Sequence, residues 1–337
     1  MFKSMNSEGI RFDLVTFGTL INCFCKMGKL DFGFAVVGKI FKSGFEPDVL
    51  ILTTLLKGLF KENRVRDAIE LFNKITEIGY TCNVVTYGTM VDGLCKAKKL
   101  DEAMHIYEDM RIKGLTSDVI TYNSLIDGLC KVKRVAVAQK FFMKMQAQGP
   151  SPDVYTYNVL LDGLFANGGY KEAMRLFEKM DNDGLKADIV TYNTIIDNMC
   201  KSNNLDKAKK LFNSLPSKEL KPNTRTFNIM IQGFLKKGLL QESENLLTEM
   251  LDKGPTPDNV TYNFMIRGFF QNSKIDKAVQ LLNDMVDRDF SLNAANTSIV
   301  EDLLAADGLE GKFNGLVDKI LPKRQSKGTV TTVELDV

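Results

Sequence analysis

This chain of 337 residues contains a single histidine, the residue on which most metal and triad chemistry depends. The single histidine, His105, lies in Met104-His105-Ile106-Tyr107 with no cysteine pair in register after it. Zinc deaminases, zincins, triad hydrolases and papain-like enzymes each require at least one histidine beside specific partners. His105 is therefore interpreted as a partly exposed helix residue. We predict no catalytic residue, no metal ligand, no cofactor and no small-molecule substrate.

The six cysteines do not form a metal or disulfide pattern. Cys23-x-Cys25 has the wrong spacing for a zinc knuckle, and residues two apart on a helix point about 200° apart. Four of the cysteines recur in one register: Cys25, Cys95, Cys130 and Cys200. Because free cysteine packs as a small hydrophobic residue, the pattern predicts buried structural thiols.

Charge and hydropathy exclude a membrane protein and give no overall electrostatic field. The 44 basic and 42 acidic side chains leave a formal net charge of +2, so any nucleic-acid site must come from local clustering. The longest apolar stretch, Val49 to Leu56, is interrupted by two threonines and falls far short of the ~20 residues that span a bilayer.

A strict internal repeat organises the chain. Asp118-Val-Ile-Thr-Tyr-Asn123 recurs as Asp153-Val-Tyr-Thr-Tyr-Asn158 and as Asp188-Ile-Val-Thr-Tyr-Asn193, always 35 residues apart. Eight repeats without insertion or deletion cover residues 14–293. We number them 1 to 8, and they begin at Leu14, Val49, Val84, Val119, Val154, Ile189, Thr224 and Asn259.

Each repeat is predicted to form two helices. In repeat 5, Tyr157, Leu160, Leu161 and Leu164 follow helical spacing, and Ala173, Leu176, Phe177 and Met180 repeat it after Asn167-Gly-Gly169. One such hairpin cannot bury both stripes, whereas stacked hairpins can, which predicts an all-α solenoid.

Helix stops and starts can also be read from the repeat. A glycine that suits a left-handed helix stop recurs as Gly9, Gly44, Gly79, Gly114, Gly149, Gly184 and Gly254. Glu219 and Asp289 replace it, so looser turns are expected there. Ser273 and Asn203 precede an aspartate by three residues, which predicts capping boxes for two of the second helices.

The flanking segments fit the same register. Residues 1–13 match a second helix, so the chain is expected to be a truncated product whose upstream repeats and any transit peptide are missing. Residues 294–321 are predicted to form degenerate capping helices, at Thr297 to Ala306 and Lys312 to Leu321. Residues 322–337 are predicted to be a disordered tail.

These repeats resemble pentatricopeptide repeats of the pure, 35-residue class. The resemblance rests on phrases such as Asp188-Ile-Val-Thr-Tyr-Asn-Thr-Ile-Ile-Asp197 and Leu205-Asp-Lys-Ala208. The Asp-Gly-Leu-Cys-Lys phrase at 92–96 and 127–131 resembles the restorer-of-fertility-like branch. The related tetratricopeptide repeat has a period of about 34 and a tryptophan-containing signature, and this chain has no tryptophan. The resemblance implies a right-handed superhelix that binds single-stranded RNA, one base per repeat.

The family's base-selecting positions are the fifth and last residues of each repeat. The fifth residues are Gly18, Thr53, Gly88, Asn123, Asn158, Asn193, Asn228 and Asn263. The last residues are Asp48, Asn83, Asp118, Asp153, Asp188, Asn223, Asp258 and Asn293. The second residues, which sandwich the base in the family, are Val15, Leu50, Val85, Ile120, Tyr155, Val190, Arg225 and Val260. Arg225 departs from the apolar norm, although a guanidinium plane can also stack.

Two of these rows have a structural explanation that remains open. Asp or Asn before a helix is a good N-cap, which accounts equally well for the last residues. A row of lysines at the thirteenth position suits either a phosphate contact or a helix C-terminus. Its members are Lys26, Lys61, Lys96, Lys131, Lys201 and Lys236. The fifth residues are small and polar in all eight repeats, with no Lys or Glu, which capping does not explain.

The side-chain chemistry is consistent with the family's recognition code. Asparagine offers a donor and an acceptor to a pyrimidine edge, and threonine leaves room for a purine. Aspartate can accept from the N3–H of uracil, whereas an asparagine amide suits the N3 acceptor of cytosine. With repeats running along RNA 5′ to 3′, the expected footprint is 5′-x-A-x-U-U-C-U-C-3′, and repeats 1 and 3 remain unread.

The favoured hypothesis is an RNA-binding factor of an organelle, mitochondrial by resemblance or else chloroplast, that acts in RNA processing, stability or translation. It would act by occupancy or by recruiting a processing factor. The alternative hypothesis is a helical scaffold that binds proteins.

Overall fold

A computed structural model describes residues 12–252 and 254–305. This part of the chain contains seventeen α-helices and no β-strand, so the all-α, helical-repeat fold class is confirmed. The first helices of repeats 1 to 8 are α1 (Leu14–Lys26), α3 (Val49–Lys61), α5 (Val84–Lys96), α7 (Val119–Lys131), α9 (Val154–Ala166), α11 (Ile189–Lys201), α13 (Thr224–Lys236) and α15 (Asn259–Gln271). The second helices are α2 (Leu30–Lys42), α4 (Val65–Glu77), α6 (Leu100–Ile112), α8 (Val135–Gln148), α10 (Tyr170–Asn182), α12 (Leu205–Ser214), α14 (Leu240–Asp252) and α16 (Ile275–Asp287). The last described helix is α17 (Ala294–Ala305).

The chain divides into two compact units, one ending at Lys186 and the other beginning at Ala187. The first unit stacks five helical hairpins, and its successive first helices α1, α3, α5, α7 and α9 pack against one another. The second unit repeats this arrangement with α11, α13, α15 and α17. Within each unit, a second helix packs against its own first helix and also contacts the first helix of the next repeat.

The predicted apolar stripes form the core between the helices of each hairpin. Tyr157, Leu160, Leu161 and Leu164 are all buried, and on α10 Ala173, Leu176 and Met180 are buried beside a half-buried Phe177. Aromatic rings of neighbouring hairpins contact each other edge to face. The ring centroids of Phe142 on α8 and Tyr157 on α9, for example, are 5.1 Å apart. A single hairpin could not bury these surfaces, so the stacking of repeats supplies the core.

The turn that ends the second helix is left-handed at the glycines Gly44, Gly79, Gly114 and Gly184. Glu219 and Asp289 adopt the same conformation, with φ of +61° and +59°, so the looser turns predicted there are wrong. The backbone hydrogen bond that closes the turn is kept, from Leu220 N to Leu215 O at 3.1 Å. The repeat geometry therefore overrides the steric penalty of a Cβ at this position.

Gly149 does not adopt the left-handed conformation predicted for this position, and Gly254 is absent from the residues with positive φ. Gly149 is extended, with φ −110° and ψ −167°. Proline follows each of these glycines, as Pro150 and Pro255, and a residue before proline is driven towards extended backbone by a clash with the ring. The proline is therefore the feature of the sequence that decides these two turns.

The turn between the two helices of a repeat depends on a left-handed residue at the fifteenth position in all eight repeats. These residues are Gly28, Asn63, Lys98, Lys133, Gly168, Asn203, Gly238 and Ser273. The capping boxes predicted at Asn203 and Ser273 are wrong, because these residues close the first helix. The second helices start one residue later, after Asn204 and Lys274, with no side-chain cap.

A close backbone approach fixes the spacing of the first helices within each unit. Glycine at the tenth position faces the twelfth residue of the preceding repeat, and a Cβ built on Gly163 would lie 2.2 Å from Sγ of Cys130. On Gly93 it would lie 2.3 Å from the Phe60 ring. The equivalent glycines are Gly58, Gly128, Gly233 and Gly268. Only a residue without a side chain fits there.

Several predicted features lie outside the described residues. These are the N-terminal residues Phe2, Met5 and Gly9, the second capping helix from Lys312 to Leu321, and the tail from Pro322. The first capping helix is described, and it begins at Ala294, three residues before the predicted start. None of the helices described is long and apolar enough to cross a bilayer.

Candidate nucleic-acid interface

The second residues of the repeats form an exposed row at the start of the first helices. Seven of the eight are apolar, and their exposed fractions range from 44 % at Val190 to 76 % at Val15. Arg225 is also exposed. An exposed apolar side chain at the same helix position in seven of eight repeats is not explained by core packing.

Two open clefts bring the predicted site residues together. A cleft of about 530 Å³ is lined by Val15, Gly18, Lys26, Asp48 and Leu50. These are the second, fifth, thirteenth and last residues of repeat 1 and the second residue of repeat 2. The equivalent residues of repeat 3, among them Val85, Gly88, Lys96, Asp118 and Ile120, line a cleft of about 600 Å³. Both clefts occur in repeats whose fifth residue is glycine.

The other fifth residues have buried side chains. The asparagines Asn123, Asn158, Asn193, Asn228 and Asn263 are each 2–8 % exposed, and Thr53 is 3 % exposed. The side-chain Oδ1 atoms of Asn123, Asn158 and Asn193 are buried and accept no hydrogen bond. A buried acceptor without a donor carries a desolvation cost of about 1–3 kcal/mol. This cost recurs in three successive repeats.

All eight last residues cap the helix that follows them. Each side chain accepts a hydrogen bond from a backbone N–H three residues later, as Asp118 does from Thr121 at 2.8 Å and Asn293 from Asn296 at 2.9 Å. The capping explanation is therefore correct, but it does not occupy the whole side chain. In each aspartate the cap uses Oδ1, which leaves Oδ2 out of the cap bond.

In two repeats the structure links the fifth and last residues directly. In repeat 7, Nδ2 of Asn228 donates to Oδ1 of Asp258 at 3.2 Å. In repeat 8, the backbone N–H of Asn293 donates to Oδ1 of Asn263 at 2.9 Å. The two positions thus form one polar group at the junction of successive first helices, although they lie 30 residues apart.

The lysine row is exposed, and half of it is engaged in ion pairs that were not predicted. Lys96, Lys131 and Lys201 each pair at 2.6 Å with an aspartate one helical turn earlier, Asp92, Asp127 and Asp197. The hydrogen bond to Asp127 raises the pKa of Lys131. The four-residue spacing of these pairs is visible in the Asp-Gly-Leu-Cys-Lys phrase. Such exposed pairs are weak, about 0–1 kcal/mol, so a phosphate can compete for the lysine.

The cysteines and the histidine belong to no metal-binding group within the described residues. All six cysteines are free, and Cys25, Cys82, Cys95, Cys130 and Cys200 are buried whereas Cys23 is exposed. Burial raises the pKa of Cys95 and Cys130 to about 12, which keeps them as thiols. His105 is exposed on α6, and the described residues contain no group of three metal-ligating side chains.

Comparison with known proteins identifies the repeat. The model of the PPR repeat family matches seven segments between residues 47 and 300, and a second PPR repeat model matches residues 8–39. Curated relatives match over short stretches only. Protein Rf1, mitochondrial, of Oryza sativa subsp. indica is 49 % identical over 41 residues, which is 12 % of this chain and 5 % of that protein. A mitochondrial pentatricopeptide repeat-containing protein of Arabidopsis thaliana is 47 % identical over 45 residues, 13 % of this chain and 7 % of that protein.

Solved structures show the same fold. The pentatricopeptide repeat protein PPR10, bound to an 18-nt psaJ RNA element, superposes with a TM-score of 0.57 at 21 % identity, over 93 % of this chain and 52 % of PPR10. Yeast Rmd9p in complex with a 16-nt target RNA superposes with a TM-score of 0.50 at 13 % identity, over 89 % of this chain and 75 % of Rmd9p. The chain spans about half of PPR10 and less than a tenth of these curated relatives. With matching family models along most of its length, the chain belongs to the pentatricopeptide repeat family.

Proposed function

We propose that this chain binds single-stranded RNA in a sequence-specific manner, with one base at each repeat. The second residues of successive repeats would sandwich the base, and the fifth and last residues would read its edge. The finer family assignment, to the pure class and its restorer-of-fertility-like branch, belongs to the same proposal.

The observation that carries the proposal is the set of buried, unpaired Oδ1 atoms on Asn123, Asn158 and Asn193. Each can accept a hydrogen bond, and the edge of a pyrimidine carries a donor. The three atoms occur in successive repeats at one of the two positions where the family reads bases. A protein-binding scaffold would give no reason for this row of acceptors.

The proposed footprint follows from the pairs of selectors. Thr53 with Asn83 favours A, Asn with Asp favours U, and Asn with Asn favours C, which gives 5′-x-A-x-U-U-C-U-C-3′. The open clefts at Gly18 and Gly88 support leaving repeats 1 and 3 unread, because no side chain at the fifth position reaches the base edge.

The biological role proposed is that of an organellar factor in RNA processing, stability or translation. Relatives whose names include the word mitochondrial support the mitochondrion as the organelle. The protein would act by occupying its RNA or by recruiting a processing factor. No catalytic arrangement among the described residues supports a chemical step.

A matched pair of isoleucines tests the proposed interface. Ile120 lies in the second-residue row and is 66 % exposed, whereas Ile112 lies on the second helix α6 and is 83 % exposed. Ile120→Ala should weaken binding of a labelled RNA with the proposed footprint by roughly 1 kcal/mol, about five-fold, because part of the base sandwich is lost. Ile112→Ala should bind as the unaltered protein does. Equilibrium titrations give both values.

Three results would overturn the proposal. One is an equal loss for both alanine variants, which would place the RNA elsewhere. A second is equal affinity for the footprint RNA and for a shuffled RNA of the same composition. The third is binding to proteins alone, with no RNA bound at low salt, which would favour the helical scaffold.

A further inference from the structure

The side-chain amide of Asn263, the fifth residue of repeat 8, is fully hydrogen-bonded within the protein. Its Nδ2 donates to the carbonyls of Asn259 at 2.8 Å and Ser291 at 3.1 Å. Its Oδ1 accepts from the backbone N–H of Asn293 at 2.9 Å and from Nδ2 of Asn296 at 2.8 Å. An amide has two N–H donors and two acceptor lone pairs, so all four are in use.

The orientation of this amide is fixed by backbone groups. Two carbonyls must face Nδ2, and one N–H must face Oδ1. A flipped amide would place acceptor against acceptor at the two carbonyls and donor against donor at the N–H. Asn296 is oriented in the same way, because its Nδ2 also donates to the backbone carbonyl of Asn263 at 2.8 Å.

The preceding repeats do not close their selector in this way. Asn193 in repeat 6 keeps an unpaired Oδ1. In repeat 7, Oδ1 of Asn228 accepts a hydrogen bond from Thr261 Oγ1 at 2.7 Å, and its Nδ2 donates to Asp258 at 3.2 Å. These two bonds use one acceptor site and one donor of the amide. Only repeat 8 engages both donors and both acceptor sites of its asparagine.

Three of these four partners of the Asn263 amide are backbone groups, and the fourth is the side chain of Asn296. It occupies the place of the third residue of a repeat, where every preceding repeat except repeat 2, which has Ile51, carries threonine: Thr16, Thr86, Thr121, Thr156, Thr191, Thr226 and Thr261. Asn296 is completely buried, and its longer amide reaches both the carbonyl and the side-chain oxygen of Asn263. Its own Oδ1 is left buried without a partner. The fold thus accepts an unpaired acceptor in order to place this donor.

A second, independent feature of the same site points the same way. The base at repeat 8 would lie between Val260 and the second residue that follows repeat 8, which is Ala295. Alanine offers one methyl group where earlier repeats offer Val, Leu, Ile, Tyr or Arg. One wall of the base sandwich is therefore almost missing.

We propose that Asn296 closes repeat 8 to base recognition, so that the selected RNA sequence ends at the base bound by repeat 7. The inference rests on the proposed RNA-binding function and revises its last letter. Any nucleotide would be accepted at the eighth register, and the cytosine expected from Asn263 and Asn293 would not be selected.

The test is a base scan at two registers of the same RNA. Four synthetic RNAs differ only at the eighth register, and four others differ only at the sixth, which Asn193 and Asn223 read. The protein should bind the first set with equal affinity, within about two-fold, and should prefer a pyrimidine several-fold in the second set. This scan requires no variant of the protein.

Asn296→Thr supplies the gain-of-function arm, because threonine is the residue found at this position in every preceding repeat except repeat 2. It should create a several-fold pyrimidine preference at the eighth register and leave the sixth unchanged. Asn296→Ser provides the same hydroxyl without the methyl group, in case threonine disturbs α17, whose helical content is checked by circular dichroism.

The outcomes separate the two proposals. A clear cytosine preference at the eighth register of the unaltered protein, with the sixth also selective, overturns the role of Asn296 and leaves the function intact. Folded Thr and Ser variants that gain no selectivity overturn it as well. Absence of selectivity at both registers overturns the proposed function itself.

Discussion

At the residue scale, the last residue of each repeat has a structural role that the sequence already suggested. All eight cap a helix, and in the aspartates the cap uses one of the two carboxylate oxygens. Because Asp and Asn cap equally well, helix stability does not decide between them. The choice between Asp and Asn is therefore free to set base preference.

This separation predicts the effect of Asn223→Asp. The change should shift the preferred base at the sixth register from C towards U, because a carboxylate accepts from uracil N3–H and cannot donate to cytosine N3. The discrimination should change by about 1 kcal/mol, a few-fold in affinity, as expected for one exchanged hydrogen bond. Titrations with four RNAs that differ at this register measure it.

The matched control is Asp153→Asn in repeat 4, which should shift the fourth register from U towards C. Thermal unfolding of both variants should stay close to that of the parent protein. If affinity for all four bases moved in parallel, or fell together with the melting temperature, the last residue would be a helix cap only.

Cysteine reactivity is a second prediction at this scale. Burial raises the pKa of Cys95 and Cys130 to about 12, so almost no thiolate forms at pH 8 and access is blocked as well. Native protein treated with iodoacetamide at pH 8 should be modified at the exposed Cys23 alone, whereas denatured protein should react at all six cysteines. Peptide mass spectrometry reads the sites, and rapid native modification of Cys130 would contradict the buried-thiol interpretation.

At the element scale, the periodicity of apolar residues predicts the helices well, and local rules predict their ends less well. The 35-residue step brings Tyr157 and Leu161 into the core because both are set by one helical stripe. The helix ends depend on neighbours instead: Pro150 makes Gly149 extended, and the repeat geometry holds Glu219 left-handed. The burial of the fifth residues could not be predicted, since it arises from contact between helices of different repeats.

The close approach of first helices predicts opposite effects for two glycine substitutions. Gly163→Ala places a methyl group 2.2 Å from Sγ of Cys130 and should destabilise the protein by about 1–3 kcal/mol, despite the better helix propensity of alanine. Gly38→Ala, on the exposed face of α2 with no atom within 4 Å, should stabilise it by about 0.5–1 kcal/mol. Urea unfolding followed by circular dichroism gives both signs, and stabilisation by both alanines would show that the helices do not approach so closely.

The left-handed turn at Glu219 offers a backbone prediction. Glu219→Gly should raise the free energy of unfolding by about 1 kcal/mol, because glycine adopts φ +61° without the steric penalty of a Cβ. Glu219→Ala keeps the Cβ and should gain little. Equal gains for glycine and alanine in urea unfolding would mean that the glutamate side chain, and not the backbone, carries the cost.

At the scale of the whole molecule, a net charge of only +2 conceals a row of six lysines along the first helices. If all six neutralised phosphates, the slope of log affinity against log salt would be about −4, and the three existing ion pairs should make it shallower. Lys236→Ala should make this negative slope shallower by about 0.7. Lys140 is an exposed lysine on the second helix α8, and Lys140→Ala should leave the slope unchanged. Binding that ignores salt, or equal effects of the two lysines, would exclude the lysine row as the phosphate contact.

The most direct test of base reading by these repeats is selection from a random RNA pool by the purified protein, followed by sequencing of the bound RNA. The account predicts enrichment of A, then one unselected base, then U-U-C-U, in the order of repeats 2 to 7, with no preference after the last U. The bound RNA should remain intact. Enrichment of an unrelated sequence, or no enrichment above the starting pool, would contradict base recognition by the fifth and last residues.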